Sequence, residues 1–239
     1  MLSLSLVIPM YNEEDYIEYT LNTILSYFKK NKVDYEIVVV DDGSIDMSVK
    51  KVEPFINDKL RLVRCWKNGG KGKAVKVGVL KAEKDFVGFM DADLPYALDG
   101  VLNLFKGLEK FHIAIGTRSM PGAVVDVRPL WYRRVLGHSF SMLREFIVST
   151  GIKDTQCGAK CFRKDVARLL FTKQKLSGFG FDAELLFLAK KYKFSVLQLP
   201  LHLLKKHSFK DSKLNPLVDP FKMFFDLLRI RFYNLIGVY

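Results

Sequence analysis

Two carboxylates one residue apart, in Asp91-Ala92-Asp93, follow an apolar run at residues 86–90. Carboxylates so spaced at the end of a strand can turn toward one hard cation, and Mg2+ or Mn2+ prefers such oxygen ligands while bridging phosphates. Alone, the triplet would serve equally well as a solvated turn or a helix N-cap. Its company argues otherwise. Tyr11-Asn12-Glu13-Glu14 follows an apolar run at 4–9, and Asp41-Asp42-Gly43-Ser44 follows one at 35–40. A carboxylate in the second cluster can accept from ribose hydroxyls or a base N–H; Ser44 or Asp42 can also cap the helix that comes next. Asn68-Gly69-Gly70-Lys71-Gly72-Lys73 follows the run at 60–65. It offers pliable backbone and two ammonium groups to an anionic diphosphate, without P-loop spacing, and its alternative is a surface loop before a helix.

The elements that must position these clusters are legible in the apolar pattern. Short β-branched runs at 4–9, 35–40, 60–65, 86–90 and 112–115 alternate with helical periodicity, the pattern of βα units and a mainly parallel sheet. Ile17, Leu21, Ile24, Leu25 and Phe28 make one apolar helical face, a crossover between the first two strands. Ligands of open α/β sheets gather at the carboxyl ends of the strands, so the four clusters share one sheet edge. Beyond Gly116 the pattern loosens into a turn-rich stretch at 120–129, an apolar, arginine-punctuated helix at about 130–148, helices near 164–171 and 181–192, and a strand near 196–200. One α/β domain is expected over 1–239, with the four clusters in a first half at 1–118, an acceptor-side half at 119–210 and an amphipathic tail at 211–239.

Composition bounds the partners. The chain has 239 residues, 49% of them hydrophobic and 27% charged, enough for a sizeable core and too apolar for disorder. With 38 Lys+Arg against 26 Asp+Glu the net charge is +12, which favours anionic partners: nucleotide, phospholipid or nucleic acid. Nucleic acid explains none of the strand-end clusters, and aromatic residues do not interleave with the basic ones as a stacking groove requires. Cys65, Cys157 and Cys161 form no disulfide framework, and Cys157 and Cys161 lack a second pair for zinc. No secretory signal precedes Leu2 and no run reaches the roughly 18–20 apolar residues of a membrane span. A cytoplasmic protein, peripheral on the cytoplasmic face of a membrane, is the expectation.

Taken in order, Val7-Ile8-Pro9-Met10-Tyr11-Asn12-Glu13-Glu14, Val39-Val40-Asp41-Asp42-Gly43-Ser44, Gly70-Lys71-Gly72-Lys73-Ala74 and Met90-Asp91-Ala92-Asp93 resemble the family 2 glycosyltransferases. That resemblance implies the GT-A fold, a Rossmann-like, mainly parallel sheet flanked by helices, here with a C-terminal amphipathic helix. Gly116-Thr117-Arg118-Ser119, Asp154-Thr155-Gln156-Cys157-Gly158-Ala159-Lys160 and Phe181-Asp182-Ala183-Glu184-Leu185-Leu186 narrow it toward polyprenyl-phosphate sugar transferases, especially dolichyl-phosphate glucosyltransferases. The likeness runs on through Asp211-Ser212-Lys213-Leu214. It implies that Pro9, Tyr11, Glu13 and Asp41, with Asp42 beside them, contact the nucleoside and that Asp91 and Asp93 hold Mg2+ or Mn2+. One departure is Pro95, where dolichyl-phosphate mannose synthases often carry glutamine, so water or phosphate must complete the metal's shell.

The implied reaction is inverting transfer of a hexose, glucose first, from a nucleotide sugar, UDP-glucose first, to dolichyl or polyprenyl phosphate. A GDP-mannose-dependent dolichyl-phosphate mannose synthase and a transferase to a glycan hydroxyl are the alternatives. An ionised lipid phosphate attacks without a general base, so positioning and leaving-group stabilisation matter most, with Lys71 or Lys73 assisting the ion on Asp91 and Asp93. Arg118, Arg133 and Arg134 are candidates to grip the acceptor phosphate, or are ordinary surface charge. Asp182 suits a base for a hydroxyl acceptor, an orienting group for a phosphate, or an N-cap. Phe221, Phe224, Phe225, Leu228, Phe232 and Leu235 form a helical stripe opposite Lys222, Asp226 and Arg229, fit for a lipid interface, a core face or a homo-oligomer contact. Trp131, Tyr132 and Phe140 give a second candidate patch, while His138, His202 and His207 lack metal spacing.

Overall fold

A computed structural model describes residues 2–125, 142–152, 154–204 and 219–239. The first half is a run of βα units: β1 (Ser3–Met10), α1 (Ile17–Lys30), β2 (Asp34–Asp41), α2 (Ser48–Val52), β3 (Leu60–Arg64), α3 (Lys71–Lys81), β4 (Phe86–Met90), α4 (Leu98–Gly107) and β5 (Ile113–Thr117). The second half holds β6 (Val124–Val125), a helix α5 described at 142–148, β7 (Ala159–Arg163), α6 (Lys164–Lys173), α7 (Phe181–Lys191), β8 (Val196–Pro200), β9 (His202–Leu203) and α8 (Asp219–Leu235).

Seven strands form one sheet in the order β3-β2-β1-β4-β7-β5-β8. All neighbouring pairs are parallel except those of β7, which runs antiparallel to both β4 and β5. Helices cover both faces, so the central strands are apolar on both sides. Leu4, Leu6, Ile8, Ile37, Val39 and Met90 face α1 and α4 in one layer. Val7, Val38, Val40, Val87 and Phe89 face α3, α6 and α7 in the other. Gly78 lets α3 lie close: a Cβ there would stand 2.4 Å from Val7 Cγ1.

The chain lays β1, β2 and β3 outward on one side and then returns to place β4 on the other side of β1. That reversal leaves a crevice at the carboxyl ends of β1 and β4, the position where open sheets bind ligands. β1 pairs with β4 only as far as Val7 opposite Phe89. Pro9 lies past the last pair and has no N–H to extend it.

β7 is the element that apolar periodicity does not announce. Its Lys160 interrupts the pattern. The stretch expected as turns at 120–129 contains β6, which pairs with β9. Trp131, Tyr132, Phe140, His138, His207, Arg133, Arg134 and Asp211-Ser212-Lys213-Leu214 lie outside the described residues.

α8 packs Leu227 and Ile230 into the layer of α7, and Met223 is buried beside Gln156. Phe221, Phe225, Leu228, Phe232 and Leu235 are exposed on its other side. Among the described residues no helix is long and apolar enough to cross a membrane.

Candidate active site

The crevice is walled by loops that hold one another through short polar side chains. Asn12, in the left-handed region at φ 51°, donates its N–H to Ser44 Oγ at 3.0 Å, and its Oδ1 accepts the N–H of Ile45 at 3.0 Å. Glu13 N–H donates to Ser48 Oγ at 2.7 Å, and Glu14 Oε2 accepts Met47 N–H at 2.9 Å. Tyr11 and Glu13 therefore stand on a loop stitched to the one that follows β2. Asp41, at the end of β2, is 1% exposed, and its Oδ1 accepts Ser44 N–H at 2.9 Å.

Asp42 is spent on backbone. Its carboxylate accepts Gly69 N–H at 3.0 and 3.1 Å and Gly70 N–H at 2.8 Å. Burial pushes its pKa up, which those two N–H groups and nearby Lys73 offset only in part. Asp42 thereby fixes the glycine-rich turn. Gly70, at φ 94°, immediately precedes α3, where a Cβ would fall 2.6 Å from Ser177 O. This close approach brings the start of α3 against the stretch leading into α7.

That contact assembles the charged centre. Lys71, the first residue of α3, places Nζ 2.5 Å from Asp91 Oδ1. Burial works against its ammonium, but the carboxylates of Asp91, Asp182 and Asp93 outweigh it and hold the pKa above the ordinary lysine value. Asp182, in the first turn of α7, is 3% exposed and paired with Lys160, which is wholly buried. Lys160 Nζ also donates to Cys157 O at 2.7 Å and lies 5.5 Å from the centre of the Phe89 ring. Burial raises the Asp182 pKa, with Lys160 and Lys71 opposing it and Asp91 reinforcing it. Asp91, Lys71, Asp182 and Lys160 thus alternate in sign from the crevice into the sheet.

The Asp91-Ala92-Asp93 turn is itself held from several sides. Thr20 Oγ1 on α1 donates to Ala92 O at 2.7 Å, and Leu94 N–H donates to Asp91 O at 3.3 Å. Leu94 sits at φ 52°, a strained conformation for a branched residue and one that persists only where its surroundings enforce it. Gly158 lies so close that a Cβ there would stand 2.1 Å from Asp91 Oδ2, and its N–H donates to Tyr96 Oη at 3.1 Å.

Asp91 and Asp93 suit a Mg2+ or Mn2+ ion by donor chemistry. Among the described residues no three His, Cys, Asp or Glu side chains gather into a cage. Two carboxylates completed by water and phosphate oxygens are the usual magnesium arrangement in phosphate-handling sites. Pro95 adds only a backbone carbonyl, which Leu204 N–H occupies at 3.0 Å.

Arg118 is clamped. Its Nε and Nη2 donate to the two oxygens of Asp154 at 2.9 and 2.8 Å, and its N–H adds a bond at 2.9 Å. Burial opposes the guanidinium's charge and Asp154 restores it, raising the pKa; Asp154 itself is held below the usual carboxylate range despite burial. The sequence singled out neither Thr20 nor Tyr96, and it displayed Asp154 and Lys160 only as parts of a motif, with no role for either. A lone lysine inside an apolar run was the available signal for Lys160. A separate open concavity of about 570 Å³, lined by Asp85, Glu109, Arg163 and Lys164 among others, lies at the opposite sheet edge. Its Arg163 is already committed to the carbonyls of Leu108, Glu109 and Phe111.

The architecture is shared with glucosyl-3-phosphoglycerate synthase from Mycobacterium tuberculosis, solved in complex with Mn2+, uridine diphosphate and glucosyl-3-phosphoglycerate. The two align with a TM-score of 0.67 over 96% of this chain and 78% of that one, at 16% identity. The shared architecture is therefore the GT-A fold. The model of glycosyl transferase family 2 matches residues 5–171, and the chain belongs to that family. It is 31% identical to the dolichyl-phosphate beta-glucosyltransferase of Homo sapiens, over 99% of this chain and 77% of that protein. Identity to the dolichyl-phosphate beta-glucosyltransferase of Saccharomyces cerevisiae is also 31%, over 99% of this chain and 76% of that one.

Proposed function

We propose that the protein transfers glucose from UDP-glucose to dolichyl or another polyprenyl phosphate, with inversion at the anomeric carbon. The observation that carries the acceptor class is the Lys160–Asp182 pair. A hydroxyl acceptor needs a base beside the anomeric carbon, and the buried carboxylate best placed by sequence for that work is neutralised from below. A phosphate acceptor arrives ionised and needs none. The human and yeast relatives, both dolichyl-phosphate beta-glucosyltransferases, support the same acceptor and sugar. The uridine diphosphate in the structural relative supports the donor.

In this reading Pro9, Tyr11, Glu13 and Asp41 line the nucleoside end, with Asp42 holding the glycine turn behind them. Asp91 and Asp93 hold Mg2+ or Mn2+, which when bound offsets charge on the departing diphosphate. Lys71 and Lys73 reach the diphosphate from the start of α3. Asp154 takes Nε and Nη2 of Arg118, leaving Nη1 to a phosphate oxygen of the acceptor, with Arg133 and Arg134 as further grips. The acceptor oxygen forms a bond to the anomeric carbon as the bond to the diphosphate oxygen breaks; the electron pair leaves with the nucleoside diphosphate, and no proton moves. Residues 1–118 act as the donor half and 119–210 as the acceptor half.

The exposed apolar stripe of α8 lies in the lipid interface and brings the crevice to its insoluble substrate. Lys222, Arg229 and Arg231 beside the stripe are exposed, with Arg229 paired to Asp226 at 3.3 Å, so the helix keeps a net positive charge. Like charges of this kind disfavour a self-paired helix and favour the anionic cytoplasmic face of a membrane.

The test supplies Mg2+ or Mn2+, polyprenyl phosphate and labelled UDP-glucose, UDP-galactose or GDP-mannose in turn, alongside a soluble glycan acceptor. Label entering the organic phase from UDP-glucose is expected. Label confined to the soluble glycan contradicts the lipid acceptor, and label entering lipid from GDP-mannose alone contradicts the donor.

A further inference from the structure

A lysine ammonium stands where a dication is called for. Lys71 Nζ is 2.5 Å from Asp91 Oδ1, and the two side chains are only 19% and 32% exposed. The ammonium also lies within the field of Asp93 and Asp182. Asp182 cannot leave to follow it, because Lys160 pins that carboxylate from inside the sheet. Lys73, two residues on, lies in the field of Asp42.

We propose that Lys71 is an internal counterion that occupies the acidic turn while the donor site is empty, and so makes divalent-metal binding depend on the nucleoside diphosphate. This rests on the reading of Asp91 and Asp93 as the metal's ligands. A dication entering alone must displace the ammonium from Asp91 or settle beside it, and in this half-buried setting the repulsion between them is poorly screened. A diphosphate removes the conflict. Its oxygens ligate the ion and at the same time accept the Lys71 ammonium, which needs only rotations of its own stem to turn from Asp91 toward the phosphates. Metal and nucleotide therefore bind with positive coupling, and the coupling is reciprocal. The same device keeps Asp91 compensated between turnovers: Gly158 packs against its Oδ2 so closely that the carboxylate has little room to turn away.

The test is Mn2+ binding followed by the loss of the free-ion electron paramagnetic resonance signal, with and without UDP, in wild type, Lys71→Met and Lys71→Arg. Wild type is expected to bind Mn2+ weakly alone and about tenfold or more tightly with UDP, within the usual span of coupling between sites. Lys71→Met should bind Mn2+ alone about tenfold more tightly than wild type and gain less from UDP, whereas Lys71→Arg, which keeps the charge, should retain weak binding of the ion alone. Thermal unfolding checks each fold, and Lys71→Gln replaces the methionine variant if that one is unstable. Equal Mn2+ affinity of wild type and the uncharged variant without UDP, while wild type still takes up Mn2+ with UDP, overturns the counterion role and leaves the metal site standing. No Mn2+ uptake by wild type under either condition overturns both.

Discussion

Asp182 enters the first turn of α7 with its carboxylate already claimed, and Lys160 is the reason. Pairs buried this deeply add little net stability when whole but cost about 3–5 kcal/mol when one partner is removed. Asp182→Asn is therefore expected to lower unfolding stability by about that amount, measured by urea denaturation. Where the variant stays folded, transfer to polyprenyl phosphate should fall far less than the roughly 100- to 10,000-fold loss of a general base. A loss of that size without a loss of stability would return Asp182 to the role of base. The Arg118–Asp154 clamp carries a pH signature. Asp154 has a native pKa below its unfolded value, so the unfolded chain takes up the proton first as pH falls. The clamp's stabilisation is full above the unfolded pKa of about 4 and fades as pH drops through the native one. Asp154→Asn should cost about 2–3 kcal/mol at neutral pH, discounted because the Arg118 side chain is 37% exposed. That gap to wild type should close toward pH 3, and a gap unchanged by acid would contradict the assignment. At this scale the sequence already displayed Asp41, Asp91 and Asp93, because carboxylates just past apolar runs stand out. Asp42 was equally visible, yet its partners are the N–H groups of Gly69 and Gly70, 27 and 28 residues on, which no local pattern reveals.

Parallel strands were legible wherever β-branched residues ran unbroken. β1, β2, β3, β4, β5 and β8 fall within two residues of their expected ends. β7 was not legible, because its identity as a strand comes from pairing with β4 and β5 and its central residue is a lysine that only the folded site satisfies. The antiparallel insertion has a local consequence: it brings Gly158 against Asp91. Gly158→Ala should push the Asp91 carboxylate aside and weaken Mn2+ uptake in the presence of UDP about tenfold or more, as losses of groups supporting metal ligands do. Unaltered Mn2+ affinity in a folded alanine variant would show that the turn has slack the contact distances deny. The α3 start makes a parallel case. Gly70→Ala meets both a left-handed backbone and Ser177 O at 2.6 Å, and should lower the melting temperature by several degrees, as about 1–3 kcal/mol of strain does.

Across the whole molecule, the sheet gathers the four polar clusters at one edge while α8 presents an apolar stripe on its outer side. The helical spacing of Phe221, Phe225, Leu228, Phe232 and Leu235 was readable from sequence, but which face stays bare depends on the layer of α7 burying Leu227 and Ile230. Phe224, expected in the stripe, is half-buried. Replacing Phe221, Phe225 and Phe232 with serine should abolish flotation with phosphatidylserine vesicles and leave UDP binding with Mn2+ unchanged; undiminished flotation would place the membrane contact elsewhere. In the proposed mechanism Asp91 and Asp93 hold the ion on which the donor's diphosphate depends. Calorimetric titration of UDP-glucose into wild type, Asp91→Asn and Asp93→Asn, with and without Mn2+, tests it most directly. Wild type should bind only with Mn2+, and each variant should lose about 100-fold in affinity, near 2.8 kcal/mol, with its melting temperature little changed. Binding by both variants that matches wild type, or wild-type binding indifferent to Mn2+, would contradict the account.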